Sequence, residues 1–234
     1  SILTGGEYLK VWIASMFQRP TEQLPYLFFF SEEEGTGKSI YHEALSLLMT
    51  RGYVCANEAL LSQGNFNGEL ENAVLCYVEE VDLSKHRESR NKMKNWVTAK
   101  QLPIHHKNIT PYHITNTTHW CQAANSMTHC PIFPGDTRIT MCYVKPLLST
   151  EMIPKTQLLQ LLEKEASDFL GAIMSIELPR AEDRLSIPII ETQEKKQTAR
   201  TNMSPIELFI DEVCHEIPGS LILYSDFYDA FAKW

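Results

Sequence analysis

The sequence predicts an α/β fold built on a mostly parallel central sheet, and three observations carry that reading. The apolar run Tyr26-Leu27-Phe28-Phe29-Phe30 leads into the turn Gly35-Thr36-Gly37-Lys38-Ser39, which is followed by apolar residues at helical spacing from Ile40. A second apolar run, residues 73–78, ends in Glu79-Glu80, and a third, near 118–124, ends in Asn125. Short continuous apolar runs are what strands buried on both faces of a parallel sheet require. Ligands bind such sheets beyond the carboxyl ends of the strands, where these polar residues fall.

The remaining elements follow in order. Residues 6–17 carry Tyr8, Val11, Trp12, Ala14 and Met16 at helical spacing, and Pro20 and Pro25 break the chain before the first strand. The helix after Ser39 holds Ile40, Ala44, Leu45, Leu47 and Leu48 and stops at Gly52. A helix is expected over about 90–99, then a β-hairpin over 102–114 with His106, Lys107 and Asn108 at its tip. Gly135-Asp136-Thr137-Arg138 leads into a strand over 139–144. Residues 150–176 form a strongly amphipathic helical region, and the polar, aperiodic stretch 192–202 reads as a linker. Ser204-Pro205 caps a further helix, a short strand is expected at Leu221-Ile222-Leu223-Tyr224, and Ser225 caps a last helix. The predicted division is therefore a lead-in over 1–25, a core over 26–150, a helical segment over 151–192, a linker over 193–203 and a small domain over 204–234.

The chemistry sits at the strand ends. Strand, glycine turn and helix N-terminus in that order make a phosphate-binding loop, in which Gly35, Thr36, Gly37, Lys38 and Ser39 wrap a triphosphate with backbone N–H groups. Lys38 reaches the β- and γ-phosphates, and the Ser39 hydroxyl holds Mg²⁺. The loop departs from the full pattern, because Glu32 stands where the first glycine belongs and two more glutamates follow. A GTGKS in an ordinary surface turn is the competing reading, and the preceding apolar strand weighs against it. Glu79 is assigned to the metal and Glu80 to the attacking water, against the alternative of a plain charged strand end. Asn125 is placed to touch the γ-phosphate or that water. Arg138 is placed to reach a neighbouring subunit's nucleotide, the alternative being a surface salt bridge.

Composition sets the outer limits. The chain has 234 residues, a formal net charge of −8 and six cysteines. No run is long enough to cross a membrane and no signal peptide is visible, so a cytoplasmic, reducing setting is expected. His119, Cys121, His129 and Cys130 do not have zinc-module spacing and read as scattered core and loop residues. The acidic total argues against a uniformly DNA-binding surface, yet residues 85–107 hold Lys85, Arg87, Arg90, Lys92, Lys94, Lys100 and Lys107 with Glu88 as the only acid. Taken alone, that stretch is better explained as a solvated basic helix.

The order of these motifs resembles superfamily 3 helicases of the AAA+ class, in particular those of phage, plasmid and viral primase–helicase replication proteins. The resemblance rests on 35–39, on Val78-Glu79-Glu80, on Lys94-Asn95-Trp96-Val97-Thr98 with His105-His106-Lys107, on 116–125, on Asp136-Thr137-Arg138 and on 155–192. It implies an ATP- and Mg²⁺-dependent ring, usually hexameric, with nucleotide sites between subunits. It also implies hairpins carrying His105, His106 and Lys107 that draw single-stranded DNA through the channel. Residues 204–234 resemble the start of a winged-helix domain cut before its recognition helix, and a primase–polymerase partner or fused segment is implied. The expected function is ATP-driven DNA unwinding in the replication of a virus or mobile element. Two other classes remain open: a kinase on the same loop, which would need an acceptor site and an arginine-rich lid, and a DNA-binding or assembly module with a degenerate nucleotide site.

Overall fold

The computed structural model describes residues 5–234 apart from 63, 65, 149, 151 and 182. Residues 1–4 of the expected lead-in and residue 151, where the helical segment was expected to begin, lie outside the described residues. Helix α1 (Gly5–Gln18) precedes strand β1 (Tyr26–Phe30) and helix α2 (Ile40–Ser46). Next come β2 (Tyr53–Cys55), α3 (Asn57–Leu61), a 3₁₀ turn at Gly68–Leu70, β3 (Leu75–Glu79), α4 (Arg87–Thr98) and the hairpin β4 (Gln101–Ile104) and β5 (Tyr112–Thr115). Strand β6 (His119–Ala124), a 3₁₀ turn at Met127–His129, β7 (Ile139–Tyr143) and helices α5 (Lys155–Met174), α6 (Gln193–Thr201), α7 (Pro205–Val213) and α8 (Tyr224–Lys233) complete the chain.

The central sheet is five-stranded and parallel throughout, in the order β2-β3-β6-β1-β7. All five residues of β1 are buried. Tyr26, Phe28 and Phe30 face one core and Leu27 and Phe29 the other, as the period of a strand demands. Each buried Phe contributes roughly 2–3 kcal/mol relative to exposure, which is why this strand reads as an unbroken apolar run. The first core receives α3, α4 and the hairpin, through Ala59, Leu60, Met93, Trp96, Leu102 and Ile104. The second receives α1, α2 and α5, through Trp12, Leu45 and Ile173 among others. Trp12 is fully buried and donates its indole N–H to the Pro25 carbonyl at 2.8 Å, fixing α1 to the start of β1.

Three sequence expectations change. The segment expected as a linker, 193–203, is helix α6 and is fastened to the core. Thr192 caps it by accepting from Lys195 N–H at 3.1 Å, Lys195 and Thr198 are buried, and Asn202 donates to the carbonyls of Cys130 and Ile132. Small Thr198 and the aliphatic stem of Lys195 do the packing, so the apolar period is absent although the helix is present. The strand expected at 221–224 does not form: Leu221–Leu223 are exposed without pairing, and α8 starts at Tyr224 with Leu223 as N-cap, leaving Ser225 inside the helix. A strand needs a partner to satisfy its backbone, and none of the described strands pairs with it. The amphipathic helix expected from 150 starts at Lys155, because Pro154 can accept from Leu158 N–H but cannot donate. The Ser204 cap is present as a full capping box with Glu207.

Candidate functional site

The carboxyl ends of β1, β3 and β6 lie side by side, with Phe30 in register with Ala124 and Glu79 with Ala123. Strand β1 sits between β6 and β7 while the chain that leaves it runs to the far edge at β2, so this end is a crevice where the strand order reverses. A cavity of about 300 Å³ opens there, lined by Lys38, Ser39, Glu79, Glu80, Asn125 and His129. Five residues singled out from three separate stretches of sequence thus meet in one place. His129 joins them without having been assigned there.

Loop geometry follows from its glycines. Gly35 and Gly37 have φ of 71° and 82°, a region that costs an L-residue steric strain and glycine none. The three glutamates 32–34 are exposed, so their charge faces solvent. Lys38 is 9 % exposed and its ammonium donates to the carbonyls of Ser31 at 3.4 Å and Glu33 at 2.9 Å and to Thr36 Oγ1 at 3.2 Å. Burial lowers the Lys38 pKa and the neighbouring Glu34 opposes that. Ser39 is the residue from which α2 starts, with its side chain not used as a cap.

Glu79 is held on two sides. Its backbone exchanges hydrogen bonds with the Asn57 side chain, at 3.0 Å to the Glu79 carbonyl and 3.2 Å from its N–H. Its carboxylate meets His42 Nε2 at 3.1 Å. His42 projects from the first turn of α2, is 3 % exposed, and stacks on Tyr77 with ring centroids 4.5 Å apart. Burial depresses the His42 pKa, and Glu79 pulls the other way. Glu80 is exposed and has φ of 55°, an uncommon conformation for a non-glycine residue, and it turns the chain sharply at the mouth of the cavity. The signal that would have found His42 is its position three residues after Ser39, one helical turn into α2.

Serine hydroxyl, carboxylates and loop backbone are hard oxygen donors and N–H groups around a polar cavity, which suits Mg²⁺ carried on a triphosphate. No group of three or more His, Cys, Asp or Glu among the described residues forms a self-sufficient metal cage. Mg²⁺ normally takes one or two protein ligands and completes its shell with phosphate and water, so this donor set fits.

Arg138 lies elsewhere. It precedes β7, and its carbonyl accepts from Tyr26 N–H at 2.9 Å, at the amino end of the sheet. The length of β1 separates it from the loop by roughly 15 Å. Its Nε is buried with no hydrogen-bond partner, while its backbone N–H is held by Asp136 Oδ1 at 2.9 Å. The hairpin is formed as expected, in antiparallel register from Gln101 with Thr115 to Ile104 with Tyr112. The hairpin's His105 is held through its backbone N–H, which donates to Asn67 Oδ1 at 2.8 Å, and the His106 ring through Nε2, which meets Glu71 Oε2 at 2.9 Å. Lys107 is exposed. Along α4, Lys92 donates to the Ala59 and Ser62 carbonyls, and Arg90 and Lys94 lie over the Phe133 ring at 4.3 and 5.5 Å. Three of the seven cations thus pack α4 onto the core, while Lys85, Arg87, Lys100 and Lys107 are exposed.

Comparison with known proteins adds context to this geometry. Residues 29–138 match a family described only as a family of unknown function, DUF5906. The chain is similar to part of a phage replication protein. It is 24% identical over 204 residues to the DNA primase-polymerase of Nitratiruptor phage NrS-1, covering 84% of this chain and 27% of that protein. The apo structure of the NrS-1 C-terminal region (305–718) superposes with a TM-score of 0.70 at 21% identity, over 88% of this chain and 52% of that one. Its A-form apo structure gives 0.71 at 21% identity, over 87% and 48%. The chain thus spans about a quarter of the curated relative (27%) and shares the fold of its C-terminal region, a mostly parallel α/β sheet with flanking helices. No helix among the described residues is long and apolar enough to cross a membrane.

Proposed function

We propose that this chain is the ATP-hydrolysing motor module of a phage-type DNA replication protein, and that hydrolysis drives movement along single-stranded DNA. The observation that supports it most is the one cavity joining Lys38, Ser39, Glu79, Glu80 and Asn125 at a strand-order reversal. Lys38 binds the β- and γ-phosphates once it exchanges its carbonyl partners for them. Glu80, at the exposed turn, takes the proton of the attacking water, and Asn125 orients that water or the γ-phosphate. Ser39 and Glu79 are the residues that would hold Mg²⁺, whose chemistry is to neutralise charge across the β- and γ-oxygens.

Arg138 stands at the opposite end of the sheet from its own loop, so in this reading any nucleotide it contacts belongs to a neighbouring copy. The ring, hexameric as in the superfamily 3 helicases, rests on the motif order this chain resembles. Lys107 faces single-stranded DNA from the hairpin loop, where a sequence-independent cation suffices. Similarity to part of a phage primase-polymerase supports a replication setting and a fused or partnered primase–polymerase.

The test is steady-state ATP hydrolysis with and without single-stranded DNA, alongside mass photometry with ATP and DNA. Stimulated hydrolysis and a closed ring are expected. A second reading is a DNA-binding or assembly module with weak or no ATPase. It is favoured by Glu32 in the first glycine position and by the grip of the loop's own oxygens on Lys38. A persistent monomer that binds DNA without hydrolysing ATP would establish it instead.

A further inference from the structure

His42 is absent from the motifs that define the loop and the strand-end acids, yet both of its ring nitrogens are engaged. Nε2 lies 3.1 Å from Glu79 Oε1, and Nδ1 lies 2.6 Å from the Tyr53 hydroxyl. A carboxylate only accepts, so Nε2 carries a proton, and Nδ1 is left to accept from the Tyr53 O–H. The ring is clamped from the side as well, nearly parallel to Tyr77 (9° between planes), and Tyr77 in turn stacks on Tyr53 at 4.7 Å. Hydrogen bonds and stacking together leave the imidazole one orientation. They form a chain from β2 through α2 to the end of β3.

We propose that His42 is a positioning residue that ties the Glu79 carboxylate to the helix rising from the phosphate loop. This rests on the hydrolytic reading of the site. Asn57 fixes the Glu79 backbone from α3, while His42 takes one carboxylate oxygen from α2. Glu79 still lines the cavity, with 39% of its side chain exposed. Ser39 and His42 stand one turn apart on the same rigid segment. The hydroxyl and carboxylate that would share a metal are thereby kept in fixed relation, although one follows β1 and the other ends β3, strands separated in the sheet by β6. Outer partners of this kind set ligand orientation and matter to affinity or activity by tens of fold.

The experiment compares the wild-type chain with His42→Leu, His42→Gln and Tyr53→Phe. ATP hydrolysis is measured as kcat and KM, and histidine side-chain ¹⁵N NMR is recorded without nucleotide. His42→Leu is expected to lower kcat by about tenfold or more while KM for ATP changes by less than about threefold. His42→Gln, which keeps a side-chain N–H donor, is expected to recover most of that loss. The resonance that disappears in His42→Gln is expected to be the Nε2–H tautomer in the wild type, and Tyr53→Phe is expected to weaken that preference. Equal kcat in wild type and His42→Leu, or equal losses in the Leu and Gln variants, overturns the proposal, as does an Nδ1–H tautomer. If His42→Leu does not fold, Tyr53→Phe decides, with a lowered kcat at unchanged KM expected and an unchanged kcat overturning it. A wild-type chain that hydrolyses no ATP overturns the functional reading instead, and the tautomer then decides by itself whether His42 holds Glu79.

Discussion

The Lys38 ammonium donates to the Glu33 carbonyl across the glycine loop at 2.9 Å. One residue therefore both shapes the loop and supplies its cation. Lys38→Ala is expected to lower ATP hydrolysis by about two orders of magnitude, the scale on which removing a charge-stabilising donor acts. Equal turnover in a steady-state assay of the two proteins would remove the loop from the mechanism.

Glu80 combines an exposed carboxylate with φ of 55°. A left-handed conformation costs a non-glycine residue about 1–2 kcal/mol; glycine removes that strain, but its larger loss of backbone entropy on folding offsets part of the gain. Glu80→Gly is expected to leave stability unchanged or raised by up to about 1 kcal/mol while hydrolysis falls at least about a hundredfold. Denaturant melts paired with turnover measure both. A clearly lower midpoint would show that the Glu80 side chain serves the fold instead.

Lys107 is exposed at the hairpin loop, whereas His106 is held by Glu71. Lys107→Ala is expected to weaken single-stranded DNA binding and reduce the slope of log K against log salt by about 0.7 for each phosphate no longer neutralised. His106→Ala is expected to act differently, loosening the loop with little change in slope. A salt titration with fluorescent oligonucleotide separates the two, and identical slopes for wild type and Lys107→Ala would exclude the hairpin as the DNA-binding element.

His119 is buried beside the second core, 1 % exposed and edge-on to Trp12 with ring centroids 6.1 Å apart. Burial pushes its pKa from 6.5 down to about 4, opposed by the Pro20 backbone. The unfolded chain then takes up the proton first, so stability is full above pH 6.5 and is lost as pH falls toward 4. The difference amounts to about 3 kcal/mol. Urea midpoints between about pH 7 and 4 are expected to fall accordingly and to fall less in His119→Gln. Parallel pH dependences in the two proteins would place the acid sensitivity elsewhere.

Elements that report themselves locally were legible beforehand. The three buried strands, the loop glycines, the hairpin and the Ser204 cap each have a signature within a few residues. Helix α6 has the Thr192 cap but no apolar period, because it is held by the Lys195 stem, Thr198, Ala199 and the Asn202 amide reaching back to Cys130 and Ile132. The stretch Leu221-Ile222-Leu223 has the composition of a strand but pairs with none of the described strands, and β-propensity without a neighbour does not form a ladder. In the site, the loop residues, the acids and Asn125 were visible as strand-end polar residues. His42 was not, since its role depends on a carboxylate 37 residues away.

The sequence by itself determined which polar side chains are available for a site, and that apolar runs place them at strand ends. Backbone chemistry decides that much: period, glycine and capping act over one turn or one strand. Only the tertiary structure decided which of them meet. The order β2-β3-β6-β1-β7 brings Ser39, Glu79 and Asn125 to one cavity, sends Arg138 to the opposite end of the sheet, and seats His42 against Glu79. Those relations arise from how strands distant in sequence pair and stack, which no local pattern encodes.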